Sequence, residues 1–253
     1  MTEKPLILVS NDDGINAQGI GVLTRLMCAL ADVVVVAPDG PRSGAACSMT
    51  VTRPVTLSPI SRTPGLITVA CSGTPADCVK LALEHVVDRK PTLMVSGINH
   101  GDNASVNVHY SGTMGAVFEA CMKDIPAIGF SLRTRDTQCD FTPYEEAITR
   151  IARHVLQNGL PQDTCLNVNF PQVERLAGLS VCRMARGKWD TEWAPTEQQG
   201  TFRLTGRYTC LEPDAQDTDW WAMDHGRGAV VPLHLDMTHT PCLSTLQSLN
   251  IEL

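Results

Sequence analysis

The fold is decided by the stretch Leu6-Ile7-Leu8-Val9-Ser10-Asn11-Asp12-Asp13-Gly14, where a continuous apolar run stops at two adjacent carboxylates and a glycine. Four large apolar residues in succession are typical of a central strand in a parallel sheet that helices cover on both faces. Open α/β sheets bind ligands in the crevice beyond the carboxyl ends of such strands. The stretch therefore predicts a buried strand with a charged site at its end.

Asp12 and Asp13 stand side by side at the end of this strand. Two carboxylates this close repel each other and lose hydration, so the pair indicates a bound cation. The alternative is that Asn11 to Gly14 form only a polar turn, since asparagine, aspartate and glycine all favour turns. The rest of the chain distinguishes these two interpretations.

Size and charge narrow the class of protein. The chain has 253 residues, 43% of them hydrophobic, enough to bury the core of one domain with a sizeable appendage. Its formal net charge is -7, and lysine and arginine form no cluster, which argues against binding of nucleic-acid polymers. No basic segment precedes the first apolar run, and no apolar run approaches the ~20 residues of a membrane span. We therefore expect a cytoplasmic protein without a membrane partner.

The ten cysteines are scattered from Cys28 to Cys242, and no two of them have C-x-x-C spacing. Several lie among apolar residues, as Cys71 and Cys121 do, where cysteine behaves as a small hydrophobic residue. We expect most of them to be buried free thiols rather than parts of disulfides or of a zinc site.

Helical and strand patterns alternate along the first two thirds of the chain. Helices are predicted over residues 20–31, 74–87, 114–122 and 143–157, and buried strands over 33–38, 93–96, 127–132 and 166–171. Strand, helix and strand in this order predict right-handed crossovers, which place the loops that follow the strands at one edge of the sheet. The expected fold class is a three-layer α/β, Rossmann-like, mostly parallel sheet with helices on both faces.

Three polar loops are predicted to meet at that edge. The second loop, Asp39–Gly44, carries Ser43, which can meet the two carboxylates of the first loop. The third loop runs from Gly97 to Thr113, is rich in amide side chains, and ends in Ser111–Thr113 before a helix. A helix N-terminus with free N–H groups, two hydroxyls and no side chain at Gly112 is a plausible phosphate cradle. An ordinary serine or threonine N-cap is the alternative.

The sequence pattern changes after Pro171. Residues 202–209 alternate as in an exposed hairpin or arm, and Gly228–Leu233 is typical of a short late strand. We therefore divide the chain into a catalytic core, residues 1–171, and a C-terminal extension, residues 172–253, used in oligomerisation.

The four tryptophans of the chain all lie between Lys188 and His225. Because tryptophan combines a large apolar area with a polar N–H, we expect this segment to pack against another subunit. The alternative is that these rings close the bottom of the same domain.

Several motifs, taken in order, are similar to those of one family. They are Leu8–Gly14, Ala37-Pro38 with Ser43-Gly44, Ser72–Val79, Ser96–Asn99, Tyr110–Thr113, Asn167–Pro171 and Val231–Leu235. In order and spacing they resemble the SurE family, the survival-protein-E-type 5′/3′-nucleotidases, over most of the chain.

The resemblance implies a metal-dependent enzyme. In that family two aspartates, a serine and an asparagine hold a divalent cation, and they correspond here to Asp12, Asp13, Ser43 and Asn99. All four offer oxygen, which favours one Mg²⁺ or Mn²⁺ per subunit over zinc. The implied reaction is hydrolysis of nucleoside 5′- and 3′-monophosphates and, in some relatives, of short polyphosphate. Homodimers or homotetramers with exchanged C-terminal segments are implied as well.

Metal-assisted hydrolysis of a phosphate monoester assigns roles to the loop residues. Asp12 is expected to orient or deprotonate the attacking water, and Asn103 and Ser111 are the other predicted catalytic residues. The predicted substrate-binding residues are Asn11, Asn103, Ser111, Gly112 and Thr113.

The chain departs from the family pattern at His100 and at Ala104-Ser105, which flank the site without removing a ligand. His100 either contacts a phosphate or base, or faces solvent or supports a neighbouring residue.

Two other functions stay open at this point. One is a phosphatase that passes through an aspartyl phosphate, although such enzymes space their two aspartates one residue apart, unlike Asp12 and Asp13. The other is a regulatory module that binds a nucleotide without turnover, which fold alone does not exclude.

Overall fold

The structure is a computed structural model that describes residues 4–247. The first part of the chain contains β1 (Leu6–Ser10), α1 (Gln18–Cys28), β2 (Asp32–Pro38), β3 (Leu57–Thr63), β4 (Leu66–Cys71), α2 (Pro75–Leu81), β5 (Leu93–His100), α3 (Gly112–Cys121), β6 (Ala127–Arg133), α4 (Glu145–Asn158) and β7 (Thr164–Pro171). The later part contains β8 (Leu179–Val181), β9 (Gly187–Asp190), β10 (Trp193–Pro195), β11 (Phe202–Leu204), β12 (Arg207–Cys210), α5 (Asp219–Asp224), β13 (Gly228–His234) and α6 (Thr240–Gln247).

A nine-stranded sheet forms the centre, in the order β3-β4-β2-β1-β5-β6-β7-β13-β8. The six strands from β4 to β7 in this order are parallel to one another, which confirms the predicted mostly parallel sheet. The chain leaves β1 toward one edge through β2 and β4, then returns to build the other side from β5. This reversal opens a crevice between the carboxyl ends of β1 and β5, where such sheets bind ligands.

One face of the sheet is covered by α1 and α4. Leu23 of α1 and Ile148 of α4 are fully buried there, against strand residues such as Val9 and Phe130. Their apolar positions recur at helical spacing, which is why these two sequences form amphipathic helices over the sheet. Burial of each such side chain contributes about 1.5–3 kcal/mol.

The other face is covered by α2 and α3. The start of α2 is fixed by a capping box, in which Thr74 Oγ1 accepts from the Asp77 N–H at 3.2 Å and Asp77 Oδ2 accepts from the Thr74 N–H at 2.9 Å. The α-helix ends at Leu81 and continues as a π-helical segment over Ala82–Val86. With helices on both faces, the three-layer architecture predicted from the sequence is confirmed.

Strand β5 is longer than predicted, because it continues through the residues assigned to the third loop. Its pairing with β6 shifts by one residue between Ser96 and Asn99. Gly97, with a φ of +126°, lies within this irregularity, and a Cβ there would lie 2.2 Å from the Phe130 carbonyl oxygen. Only glycine permits this close approach of the two strands.

The sheet continues beyond Pro171. Strand β13 pairs antiparallel with β7, and β8 then pairs parallel with β13. The late strand predicted at Gly228–Leu233 is therefore an integral sheet strand. The division of the chain at residue 171 stays a prediction, and strands from both sides of it share one sheet.

A narrow arm projects between β8 and α5. Strand β9 pairs with β12, and β10 pairs with β11, all antiparallel. The segment 202–209, predicted as a hairpin or arm, is the returning half of this arm and pairs with earlier residues rather than with itself.

The ten cysteines are all free thiols, five of them buried, among which are Cys71 and Cys121. Cys47 and Cys242 are exposed, and the other three are partly buried. Within residues 4–247, no helix combines the length and the apolar character needed to cross a membrane.

Candidate active site

The turn after β1 presents the two aspartates, and Asn11 shapes this turn. The Asn11 Nδ2 donates to the Gly14 carbonyl oxygen at 2.9 Å, and the Gly14 N–H donates to the Asn11 Oδ1 at 3.2 Å. Gly14 has a φ of +102°, and a Cβ there would lie 3.1 Å from the Gly40 carbonyl carbon. A glycine is therefore required at this position. The substrate contact of Asn11 stays a prediction, since its amide is engaged within the turn.

Asp12 is buried against the N-terminus of α3. The Thr113 Oγ1 donates to the Asp12 Oδ1 at 2.5 Å, and a Cβ on Gly112 would lie 2.8 Å from the Asp12 Cβ. Burial raises the pKa of Asp12 to about 6, since the Thr113 hydrogen bond offsets the burial only in part and the Asp13 charge adds to it. A positive charge placed near Asp12 would stabilise its ionised form.

Asp13 contacts the end of β5 across the crevice. Its Oδ2 accepts from the His100 backbone N–H at 3.2 Å and lies 3.2 Å from the His100 Nδ1. The imidazole is largely buried, packs edge-on against Phe141 at a centroid distance of 5.6 Å, and has no partner for Nε2 within residues 4–247. The His100 imidazole therefore lies beside Asp13 and does not face bulk solvent.

Ser43 lies in the loop after β2 and Asn99 lies in β5, the two strands that flank β1 in the sheet. The Asn99 Nδ2 donates to the Gly101 carbonyl oxygen at 2.7 Å, so its Oδ1 stays available as a ligand. Ser43 is exposed, and the preceding Arg42 N–H donates to the Asp12 carbonyl oxygen at 2.7 Å. This backbone bond fixes the second loop directly onto the turn of the first.

The predicted phosphate cradle combines a helix cap with a contact to Asp12. Ser111 is the N-cap of α3, and its Oγ accepts from the Met114 N–H at 3.0 Å, so the alternative of an ordinary cap holds for this residue. The cap leaves the Ser111 O–H free to donate to a ligand. The N–H groups of Gly112 and Thr113 belong to the first helical turn, which has no acceptor within the helix. An anion is favoured at this position.

Asn103 is held by a network that the sequence reasoning missed. Its backbone N–H donates to the Asn169 Oδ1 at 2.7 Å, and its carbonyl oxygen accepts from the Asn167 Nδ2 at 2.8 Å. Its own Nδ2 donates to the Ser131 Oγ at 2.8 Å. The side chains that hold Asn103 come from the ends of β6 and β7 and are fully buried.

Comparison with known proteins identifies the family. The family model described as "Survival protein SurE" matches residues 7–191, which include every residue of the candidate site. The chain belongs to the SurE family. The resemblance found in the sequence motifs is thereby confirmed.

Members of the SurE family with high sequence identity match almost the whole chain. The protein named 5'-nucleotidase SurE of Bacteroides thetaiotaomicron is 50% identical over 240 residues, covering 94% of this chain and 93% of the relative. The protein of the same name from Bacteroides fragilis is 47% identical over 249 residues, covering 97% and 98%.

A solved SurE structure has the same fold. The crystal structure of the SurE protein from Aquifex aeolicus is 34% identical to this chain, with a TM-score of 0.83. The alignment covers 98% of this chain and 100% of the other. The SurE fold therefore includes the extension after residue 171 as well as the α/β core.

The structure of this SurE member brings the predicted residues together through contacts between neighbouring loops. Asp12 contacts Thr113 and Gly112, Asp13 contacts the residue after Asn99, and the Ser43 loop bonds to the Asp12 carbonyl. The SurE motif at Asn167–Pro171 contained a signal for the missed network. Two asparagine side chains on the same face of a buried strand need hydrogen-bond partners. The backbone N–H and carbonyl groups of a neighbouring loop, which have no secondary-structure pairing, can supply them.

Proposed function

We propose that this chain is a divalent-metal-dependent phosphatase that hydrolyses nucleoside 5′- and 3′-monophosphates to nucleoside and phosphate. The observation that carries the proposal is the buried Asp12 carboxylate, which lies beside Asp13 and against the N-terminus of α3. Such a place suits a cation and a phosphate together, because carboxylates bind the first and free helix N–H groups the second. The name of the Bacteroides relatives, 5'-nucleotidase, supports a nucleotide substrate.

The residues present fit a divalent cation. Burial and the charge of Asp13 raise the pKa of Asp12, and the opposing contributions come from the Thr113 side chain and from backbone hydrogen bonds. A cation bound by Asp12, Asp13, Ser43 and Asn99 would neutralise the negative charge of the phosphoryl group. This ligand set consists of oxygen atoms, which supports Mg²⁺ or Mn²⁺ as the ion, one per subunit.

In this proposal, Asp12 and the residues around it have separate roles in hydrolysis. Asp12 orients or deprotonates the attacking water, and a bound cation would keep its carboxylate ionised by opposing the burial that raises its pKa. Ser111, Asn103 and the N–H groups of Gly112 and Thr113 hold the remaining phosphate oxygens. Short polyphosphate presents the same terminal phosphate and is a further substrate in this proposal.

A phosphate-release assay tests the proposed function. Purified protein is incubated with 5′- and 3′-monophosphates of each nucleoside and with tripolyphosphate, in Mg²⁺, in Mn²⁺ or in EDTA. We expect phosphate release with either ion and none in EDTA. The control variant Asp88→Asn changes an exposed carboxylate before β5, at the opposite edge of the sheet, and should keep full activity. A parent protein that binds nucleotides yet releases no phosphate would be a regulatory module instead.

We also propose that the chain forms a cytoplasmic homodimer or homotetramer with exchanged C-terminal segments. Three of the tryptophans lie against the chain itself: Trp189 contacts Tyr208, which stacks on Trp220 at 4.1 Å, and Trp221 stacks on His225. On β10 and β11, Trp193, Phe202 and Leu204 are 62%, 60% and 61% exposed. These three side chains support an interface on the arm, since an apolar patch of this kind is typical of one. Residues 248–253 of the exchanged segment lie outside the described residues.

Light scattering tests the assembly. The intact chain should have the mass of a dimer or tetramer, and a variant with Trp193→Ser, Phe202→Ser and Leu204→Ser should dissociate at micromolar concentration. Val181→Ser, which removes an exposed apolar side chain outside the arm, is the control. A monomeric parent would contradict the proposal.

A further inference from the structure

Strand β7 carries two asparagines that take no part in the proposed reaction. Asn167 and Asn169 are separated by one valine, so their side chains lie on the same face of the strand. Both are fully buried in a strand that has neighbours on either side. Burial of an amide costs free energy unless each of its polar ends finds a partner.

Each of the two side-chain amides forms one hydrogen bond to the backbone of the same loop residue, Asn103. The Asn169 Oδ1 accepts from the Asn103 N–H at 2.7 Å, and the Asn167 Nδ2 donates to the Asn103 carbonyl oxygen at 2.8 Å. The remaining ends bond each other, because the Asn169 Nδ2 donates to the Asn167 Oδ1 at 2.9 Å. The three residues thus form a closed hydrogen-bonded relay, in which the nitrogen and the oxygen of both side-chain amides each have a partner.

We infer that Asn167 and Asn169 are positioning residues, which hold the backbone of Asn103 so that its side chain is fixed for the reaction. The inference rests on the proposed function, in which Asn103 binds a phosphate oxygen. Residues 101–104 lie outside helices and strands, and the Gly101 N–H donates to the Leu132 carbonyl oxygen of β6 at 2.9 Å. The Asn103 N–H and carbonyl oxygen, by contrast, are bonded by the two asparagine side chains, which take the place of a secondary-structure pairing. The Ser131 Oγ completes the arrangement by accepting from the Asn103 Nδ2 at 2.8 Å.

Asparagine is the residue that this arrangement requires. Aspartate at position 167 would replace the donor to the Asn103 carbonyl by an acceptor. Leucine there would remove both the donor to the Asn103 carbonyl oxygen and the acceptor of the Asn169 Nδ2. A preorganised donor stabilises the transition state without rearrangement, and a small misplacement of such a group lowers the rate more than it lowers binding. The predicted signature is therefore a loss in kcat with a nearly unchanged KM.

A double-mutant cycle separates positioning from a purely structural role. The variants are Asn169→Ala, Asn103→Ala and the pair of them, assayed for nucleoside monophosphate hydrolysis with saturating Mn²⁺. We expect Asn169→Ala to lower kcat about 10- to 100-fold with a KM change below about threefold. In the Asn103→Ala background the same change should lower kcat by less than about threefold, because the group that it positions is already gone.

The control variant is Cys165→Ala, which removes a buried side chain from the same strand. It should lower the melting temperature as Asn169→Ala does, yet keep kcat within about twofold of the parent. Calorimetric Mn²⁺ affinity should be the same in the parent, Asn169→Ala and Cys165→Ala. A kcat loss that is equally large in both backgrounds, or one that Cys165→Ala reproduces, would overturn the inference.

Amide hydrogen exchange provides a readout that does not depend on turnover. The Asn103 N–H should be protected in the parent and exchange at least about tenfold faster in Asn169→Ala, whereas Cys165→Ala should leave its protection unchanged. If the parent released no phosphate but showed this exchange pattern, the proposed phosphatase activity would be refuted. The inference that the relay holds the Asn103 backbone would stand. Unchanged protection of Asn103 in Asn169→Ala would overturn the positioning role whatever the activity.

Discussion

The two loops that flank the aspartates are held in different ways. The loop of residues 101–107 is fixed by side chains of other elements, among them the asparagine relay to Asn103. The Ser105 N–H donates at 2.8 Å to the carboxylate of Asp219, which also accepts from the Ala185 N–H at 2.8 Å. Burial raises the pKa of the Asp219 carboxylate, and the hydrogen bonds that it accepts from backbone N–H groups oppose this shift by stabilising its ionised form.

The loop of residues 39–50, by contrast, is bonded to backbone groups in its first part, and side chains at the start of α2 hold its end. There the Thr50 N–H donates to the Asp77 Oδ2 at 3.1 Å and the Thr74 Oγ1 donates to the Ser48 carbonyl oxygen at 2.7 Å. The Arg42 N–H donates to the Asp12 carbonyl oxygen, and the Ala46 N–H donates to the Tyr110 carbonyl oxygen at 3.2 Å. Ser43, the predicted ligand of this loop, is exposed.

The difference indicates that the two loops around the site differ in rigidity. The 101–107 loop is preorganised, since buried side-chain bonds cannot be broken without orphaning polar groups. The 39–50 loop is able to adjust, because a loop with exposed side chains and few buried contacts moves at low cost. The 39–50 loop bonds to the Asp12 carbonyl oxygen through Arg42, and His100, which directly precedes the 101–107 loop, bonds to Asp13. The two aspartates are therefore the point where a fixed side and an adjustable side meet.

The largest effect is expected where both sides meet. Asp13→Asn removes a ligand charge and relieves carboxylate repulsion, so the fold should survive while Mn²⁺ affinity and kcat each fall by about 100-fold or more. Calorimetric metal titration and phosphate release measure the two quantities, with Asp88→Asn as the matched control. Normal Mn²⁺ binding together with normal turnover would show that the cation site lies elsewhere.

Gly112→Val tests the contact between the helix N-terminus and Asp12. A Cβ at this position would lie 2.8 Å from the Asp12 Cβ, so the side chain should displace Asp12 and block the approach of phosphate. We expect kcat to fall about 100-fold and KM to rise. Gly21→Ala in α1, where a Cβ meets nothing within 4 Å, is the control and should be neutral or slightly stabilising. Parent kinetics in Gly112→Val would place the phosphate cradle elsewhere.

The pH dependence of stability tests whether Asp12 lacks a compensating charge. Its pKa is raised from 3.8 to about 6, so its ionisation destabilises the metal-free fold, with no penalty below pH 3.8 and the full penalty above pH 6. At ~1.4 kcal/mol per pKa unit, Asp12→Asn should raise the free energy of unfolding in EDTA by at most about 3 kcal/mol at pH 8. Urea titrations at pH 8 and pH 5 should show a smaller gain at the lower pH. An equal gain at both values would contradict the burial argument.

The smallest effect is expected on the adjustable side. Ser43→Ala should weaken Mn²⁺ binding only about 3- to 10-fold, because an exposed loop rearranges around the ion or admits water. Asn99→Ala, at the irregular part of β5, should weaken it more. Calorimetry on the two variants compares them directly, and a larger loss for Ser43→Ala would reverse the assignment of fixed and adjustable sides.

Much of the fold followed from local patterns in the sequence. The apolar run Leu6–Val9 and the run Val33–Val36 predicted central strands, and the loops that follow them met as the crossover rule requires. The capping residues Thr74 and Asp77 marked the start of α2 correctly. These signals succeed because they depend on residues close together in the chain.

The features that the sequence reasoning missed depend on distant residues. The continuation of β5 through Asn99 requires Gly97 to lie against Phe130, and no local pattern encodes that contact. The pairing of residues 202–209 with β9 and β10 likewise depends on the geometry of a long arm. Asn167 belongs to the motif Asn167–Pro171, yet its partner Asn103 lies 64 residues away in the chain.

The position of β13 has a consequence for synthesis of the chain. Strand β7 ends at Pro171, and β13, which covers its outer edge, begins at Gly228, 57 residues later. At a translation rate of ~5–20 residues per second, the edge of β7 stays unpaired for about 3 to 11 s before β13 is synthesised. An uncovered strand edge pairs readily with other chains. Nascent or truncated chains that stop before residue 228 should therefore aggregate, whereas full-length chains refold cleanly.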